Sequence, residues 1–187
     1  MPNRGFSTSL LGALLIALAC LIPATASASS HTSASGGAPY MPPPHKAKVV
    51  NGQAIAPSGA PQQVKDIIAA ANMIVSKPYR YGGGHAKFQD SAYDCSGSVS
   101  FALHGAKLIK SPMDSSQLMH WGQGGAGRWV TIFSNSGHAF MMVAGLRFDT
   151  GYRDAFAAKH GAKPGTGPRW GNKRPTSGFK IRHPKGL

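Results

Sequence analysis

The spacing of apolar residues changes period part-way along the chain, and that change restricts the fold more than any other feature. Val64, Ile67, Ile68, Ala71, Ile74 and Val75 recur at helical spacing and stop before Lys77-Pro78, as a helix does on meeting a proline. From Asp94 onward Cys95, Val99, Ala102, Leu103 and Ala106 share a second helical face. A shorter helix is expected over residues 114–120. Beyond it the pattern turns strand-like, over 128–133, 138–144 and 146–149. Phe179, Ile181 and His183 then alternate with Lys180 and Arg182, as in a closing strand with one buried face. Helices first and strands afterwards predict an α+β domain, with N-terminal helices packed on an antiparallel sheet.

The segments ahead of this domain read differently. Arg4, the apolar run from Leu10 to Ile22, Pro23 and the small residues Ala24-Thr25-Ala26 or Ala26-Ser27-Ala28 predict an export signal over residues 1–28. The apolar run falls short of the roughly 20 residues that a membrane-spanning helix needs. Ala17-Leu18-Ala19-Cys20 loosely fits a lipobox, but the Leu usual three residues before the Cys is missing. Residues 29–60 are rich in Ser, Gly, Ala and Pro, including Met41-Pro42-Pro43-Pro44, and predict a flexible spacer. The remaining 61–187 is expected to form one domain with a basic C-terminal extension.

Cysteine and carboxylate counts narrow the chemistry. Loss of the signal removes Cys20 and leaves Cys95 alone, so no internal disulfide can form. A lone thiol in an exported chain risks oxidation, which leaves a buried inert residue or a reactive one as the choices. All six acidic residues are Asp, with no Glu, so candidate catalytic carboxylates are few. Twenty Lys and Arg against these six give a net charge of +14, which favours an anionic partner or surface without saying which.

The local sequence resolves the choice in favour of a reactive thiol. If a helix starts at Asp94, the Cys95 sulfur lies in its first turn, where unpaired backbone N–H groups favour thiolate. Gly97, costly inside an ordinary helix, is expected to leave room for a substrate to approach the sulfur. His138 follows the loop Ser134-Asn135-Ser136-Gly137 and opens an apolar strand. An imidazole there can take the thiol proton as base, and the resulting ion pair can attack a carbonyl carbon. A third polar group should hold the ring's other nitrogen. A hairpin turn near Ala144-Gly145 returns Asp149 close to His138, directly or diagonally opposite. The alternative for Asp149 is a solvated turn acid, and His120 and His160 are distant runners-up.

These motifs resemble the NlpC-type family of bacterial cell-wall peptidases, which share a papain-like fold. The resemblance rests on Pro78-Tyr79-Arg80-Tyr81-Gly82-Gly83, Asp94-Cys95-Ser96-Gly97, Ser115-Ser116-Gln117 and Gly137-His138, in the family's order. It implies a cysteine peptidase with Cys95 as nucleophile, His138 as base and Asp149 in the third position. It also implies Tyr79 beside the sulfur, Asp94 and Ser96 facing the bound peptide, and a peptidoglycan stem peptide as substrate, often cut next to D-glutamate. The third residue of the family is usually His, Asn or Gln, and the loop between Gly84 and Asp94 is long. The tail after Thr150 falls outside the common core.

That tail holds nine Lys or Arg residues between Arg153 and Lys185. It reads either as a solvated surface or as a tether to anionic envelope polymers. Trp170 within it reads as packing rather than as a sugar platform. No aromatic-interleaved nucleic-acid motif appears, and no paired-ligand spacing for a metal. A monomer without cofactor, secreted or periplasmic and associated with the envelope, is expected. The rivals are a CHAP-type peptidoglycan amidase, a papain-like acyltransferase or transglutaminase, and a catalytically silent basic wall-binding protein. The intact Cys95–His138 pair argues against the last.

Overall fold

A computed structural model of the chain describes residues 46–151, 159 and 167–187. The expected signal, the first part of the spacer and part of the basic tail lie outside these residues. Three helices precede most of the sheet. Helix α1 (Gln62–Ile74) buries Val64, Ile67, Ile68, Ala71 and Ile74, the face read from their spacing. Helix α2 (Cys95–Gly105) is buried from Ser96 through Leu103, on every side and not only on its apolar face. Its buried hydroxyls are therefore bonded: Ser98 Oγ donates to the Cys95 carbonyl at 2.8 Å, and Ser100 Oγ accepts the Met113 N–H at 2.9 Å. Helix α3 (Ser115–Leu118) starts in a capping box formed by Asp114 and Gln117.

Alternation along the strands gives the sheet its two faces. Counting the N-terminal hairpin strands β1 (Lys48–Val50) and β2 (Gln53–Ile55), the larger sheet comprises β3 (Gln123–Gly124), β4 (Val130–Asn135), β5 (His138–Val143), β6 (Leu146–Asp149), β7 (Arg169–Gly171) and β8 (Lys180–His183). Its order is β3-β8-β4-β5-β6-β7 and every pairing is antiparallel. Val130, Ile132, Met141, Val143 and Phe148 join the core that α1 and α2 cover. The β5–β6 turn is Ala144-Gly145, with φ of 46° and 82°, a two-residue turn that fixes register. Met141 therefore pairs with Phe148, and the strands carry His138 and Asp149 to the same end of the hairpin. The α+β architecture of helices on an antiparallel sheet is thus as the sequence predicts.

One stretch corrects the sequence reading. Residues 46–60, expected within a flexible spacer, contain a hairpin that buries Ala47 and Ala54. Its turn is Asn51-Gly52, both at positive φ, a strong hairpin signal masked by the surrounding Pro, Ser and Gly. The tail after Thr150 supplies two strands to the sheet: β8 is the closing strand expected from the alternation at 179–183, and β7 is one the sequence reading did not include. One side chain on α1 ties both stretches down: Asn72 Oδ1 accepts from the Ala54 N–H at 2.9 Å and from Trp170 Nε1 at 2.7 Å. Trp170 is 1% exposed and packs on Phe148, a packing residue as expected.

Candidate active site

The sulfur side of the site is built by short-range backbone bonds. Tyr93 N–H donates to the Pro78 carbonyl at 3.0 Å, forming a bridge between Tyr79 and Tyr93. This lays Tyr79 beside the start of α2. The glycine loop follows, and the Gly83 carbonyl accepts the Asp94 N–H at 3.1 Å. A Cβ at Gly97 would lie 2.0 Å from that carbonyl oxygen. The expected role of Gly97 is therefore corrected: the space it leaves admits the Gly83 backbone, which locks the loop to the helix. The long loop that follows is pinned by Asp90, which accepts from Gly84 N–H at 3.0 Å and pairs with Arg80 at 2.6 Å. The Gly84 bond, and after it Arg80, hold the Asp90 carboxyl well below the usual carboxylate range.

Asp94 caps α2 through Oδ1, which accepts the Gly97 N–H at 2.8 Å, while Oδ2 accepts the Gly82 N–H at 3.0 Å. His85 Nε2 donates to the same Oδ1 at 3.0 Å and lies 3.1 Å from Ser96 Oγ. Asp94 and Ser96 are buried, and with Tyr79, Tyr81, His85 and Cys95 they line a cleft of about 430 Å³. Cys95 is a free, half-buried thiol on that cleft. Burial raises the Tyr79 pKa first, and the neighbouring Cys95 and Asp94 add to the effect.

The imidazole side is built by strand register. Asn135 Oδ1 accepts the backbone N–H groups of Gly137 and His138, at 3.0 and 2.9 Å, and so shapes the tight β4–β5 turn. His138 Nε2 donates to Asp149 Oδ1 at 2.8 Å. A carboxylate only accepts, so Nε2 carries a hydrogen. Cys95 is near enough to act on the same ring, and with Nε2 engaged by Asp149, Nδ1 is the nitrogen left to face the sulfur. Burial works against a charged His138, but the Asp149 bond and then the neighbouring Cys95 outweigh it, raising the pKa from 6.5 to about 9.

Asp149 is 1% exposed, yet its pKa is lowered. Burial opposes ionisation; the His138 bond and charge, the Gly151 N–H at 2.8 Å and Arg174 Nη1 at 2.9 Å together prevail. Buried Arg147 stands 3.6 Å from Oδ2.

Thus Cys95, His138 and Asp149 meet in one place, with Tyr79, Asp94 and Ser96 around the sulfur. His120 lies elsewhere, its carbonyl accepting from Arg182, and His160 falls outside the described residues. Two residues at the site escaped the sequence reading. His85 follows the glycines directly, a position from which only the loop's path brings it back to Asp94. Arg174 was counted among the tail's basic charges, where nothing in its neighbourhood distinguishes it. Among the described residues, no group of three or more His, Cys, Asp or Glu side chains could hold a metal ion.

No protein-family model matches the chain, and no curated protein sequence matches it. Among solved structures, it is similar to an NlpC/P60 family protein from Bacillus cereus, with a TM-score of 0.45 and 16% sequence identity. The similarity covers 68% of this chain and 41% of that one.

Proposed function

We propose that this chain is an exported cysteine peptidase that hydrolyses amide bonds in peptidoglycan stem peptides, as an endopeptidase cutting next to D-glutamate, and that it belongs with the NlpC-type papain-like peptidases its motifs resemble. One observation carries the reading: Cys95, at the start of a buried helix, lies within electrostatic reach of His138, whose Nε2 is held by Asp149. An inert core cysteine needs none of these partners. Export rests on the pattern of residues 1–28, and the remaining basic surface is proposed to hold the enzyme to anionic envelope polymers.

The chemistry follows from the geometry. With a pKa of about 9, His138 carries its second proton at neutral pH, so the resting pair is imidazolium beside the sulfur. Cys95 Sγ attacks the scissile carbonyl carbon, and the carbonyl oxygen becomes an oxyanion. Gly97 N–H is occupied by Asp94 Oδ1, and Ser98 N–H by the Asp94 carbonyl. The Cys95 and Ser96 N–H groups are then the ones that receive the oxyanion. His138 gives its proton to the leaving amine as the C–N bond breaks, leaving a thioester on Cys95. Neutral His138 next takes a proton from water, whose oxygen attacks the thioester and releases the new carboxylate. Asp149 stays ionised throughout and orients the ring.

The test is Cys95→Ala in the mature protein, with muropeptides from purified peptidoglycan read by mass spectrometry. Wild type should release fragments cut within the stem, and the variant should release none while melting at nearly the wild-type temperature. Release of sugar-free intact stems would point to the amidase instead. Fragments from the alanine variant would refute cysteine chemistry altogether.

A further inference from the structure

Asp149 faces more cations than a base-orienting carboxylate needs. Arg174 reaches it from the stretch between β7 and β8, through Nη1 at 2.9 Å from Oδ2. The guanidinium is held there by aromatic faces, with its Cζ 5.1 Å from the Phe140 ring centre and 5.7 Å from that of Phe179. Those rings also flank the imidazole: His138 lies 6.2 Å from Phe140 and 6.4 Å from Phe179. Imidazole, two phenyl rings and guanidinium thus form one cluster around a single carboxylate. The charged or titratable groups facing His138 are Asp149 from β6 and Cys95 from α2, with Arg147 and Arg174 acting through Asp149.

We propose that Arg174 is a positioning residue that shares the Asp149 charge with His138 and so sets how readily the imidazolium gives up its proton. The sharing follows from the two oxygens: Oδ1 takes the imidazole and Oδ2 takes the guanidinium. A cation on Oδ2 weakens the field that Oδ1 offers to a second cation. The imidazolium is kept acidic enough to protonate a leaving amine, and the carboxylate stays ionised despite its burial. The tail beyond Thr150 is then part of the catalytic machinery and not only a basic surface. The catalytic meaning rests on the proposed peptidase reading; the electrostatic claim does not.

The experiment is an NMR titration of the His138 imidazole in the mature chain, for wild type, Arg174→Gln and Arg174→Lys. Glutamine keeps a donor for Asp149 and removes the charge; lysine keeps the charge. Removing the cation should raise the His138 midpoint by on the order of half a unit to one unit, and lysine should bring it back toward wild type. A midpoint in Arg174→Gln that stays at the wild-type value, or moves down, overturns the proposal, as does a rise of equal size in Arg174→Lys. If the glutamine variant does not fold, the lysine variant decides through Cys95 alkylation followed against pH: an alkaline transition at the wild-type position supports charge sharing, and a displaced one overturns it. Both readouts work whether or not peptidoglycan is cut. A wild type that titrates as expected but releases no muropeptides would remove the proposed function and leave this inference standing.

Discussion

Two buried aspartates each accept a histidine Nε2: Asp94 from His85 at 3.0 Å and Asp149 from His138 at 2.8 Å. Their other partners differ in kind. Asp94 accepts the neutral backbone N–H groups of Gly97 and Gly82, both nearby in sequence. Asp149 accepts Arg174 from 25 residues away and has Arg147 beside it. The first carboxylate organises main chain, for which its acceptor oxygens matter more than its charge. The second compensates cations, for which the negative charge itself is required. A substitution that keeps an oxygen and removes the charge should therefore separate them.

The largest effect is expected at Asp149. Alanine there takes the acceptor from both His138 and Arg174, and because Arg174 is 27% exposed the cost should sit near the lower end of the about 3–5 kcal/mol for breaking a buried pair. It also frees the imidazole, with kcat/KM falling by on the order of a thousandfold. Asparagine still accepts the Nε2 hydrogen, so its loss should be smaller than that of alanine. Stability should carry a pH signature. His138 has a raised pKa, so its contribution is full below 6.5 and is lost as pH rises through about 9. Asp149 has a lowered one, so its contribution is present above 3.8 and is lost as pH falls through the lowered value. The stability gap between wild type and Asp149→Asn should be widest between those ordinary values and narrow on both sides. Denaturant unfolding repeated from about pH 2 to about pH 10 reads it. A gap that is flat with pH would mean that the charge is not what holds this region.

At Asp94 the order of importance should reverse. Alanine removes the cap of α2 and the Oδ2 acceptor of Gly82, about 2–3 kcal/mol together. Asparagine caps a helix about as well as aspartate but turns its NH2 toward the Gly82 N–H, so Asp94→Asn should cost about 1–2 kcal/mol. Its kcat/KM should stay within about fivefold of wild type if the residue serves only the backbone, since that corresponds to about 1 kcal/mol. A much larger loss in a well-folded asparagine variant would break the comparison. The carboxylate charge would then be read by the substrate, as the family resemblance implies.

The same division explains what the sequence made legible. Asp94, Cys95 and Gly97 lie within four residues, so a cap, a helix start and a small residue are visible as one motif. The Ala144-Gly145 turn is equally local, and register alone then carries Asp149 to His138. Arg174 and Asn72 act over distances that no local pattern encodes: Arg174 looks like any tail cation until β7 and β8 place it over Phe140. The 46–60 hairpin was hidden for another reason. Its strands are three residues each and lie among Pro, Ser and Gly, so composition outweighed the Asn-Gly turn signal.

The smallest effect is expected at His85. Its side chain is 31% exposed where it meets Asp94, and a partly exposed pair of this kind contributes about 0.5 kcal/mol. Asp94 keeps its two backbone donors without it, so α2 and the glycine loop should hold, and His85→Ala should unfold within about 1 kcal/mol of wild type. The ring does line the cleft beside Ser96, so the variant should change substrate affinity before it changes chemistry. Michaelis kinetics on one defined stem peptide should give KM altered by a few-fold, about 1 kcal/mol of binding, with kcat unchanged. His138 stands between Asp149 and Cys95, which leaves no proton-transfer task for a second imidazole on the other wall. A fall in kcat as deep as that of Asp149→Asn would make the two histidine–aspartate pairs functional equals, and the contrast between backbone-organising and charge-compensating carboxylates would fail at its mildest point.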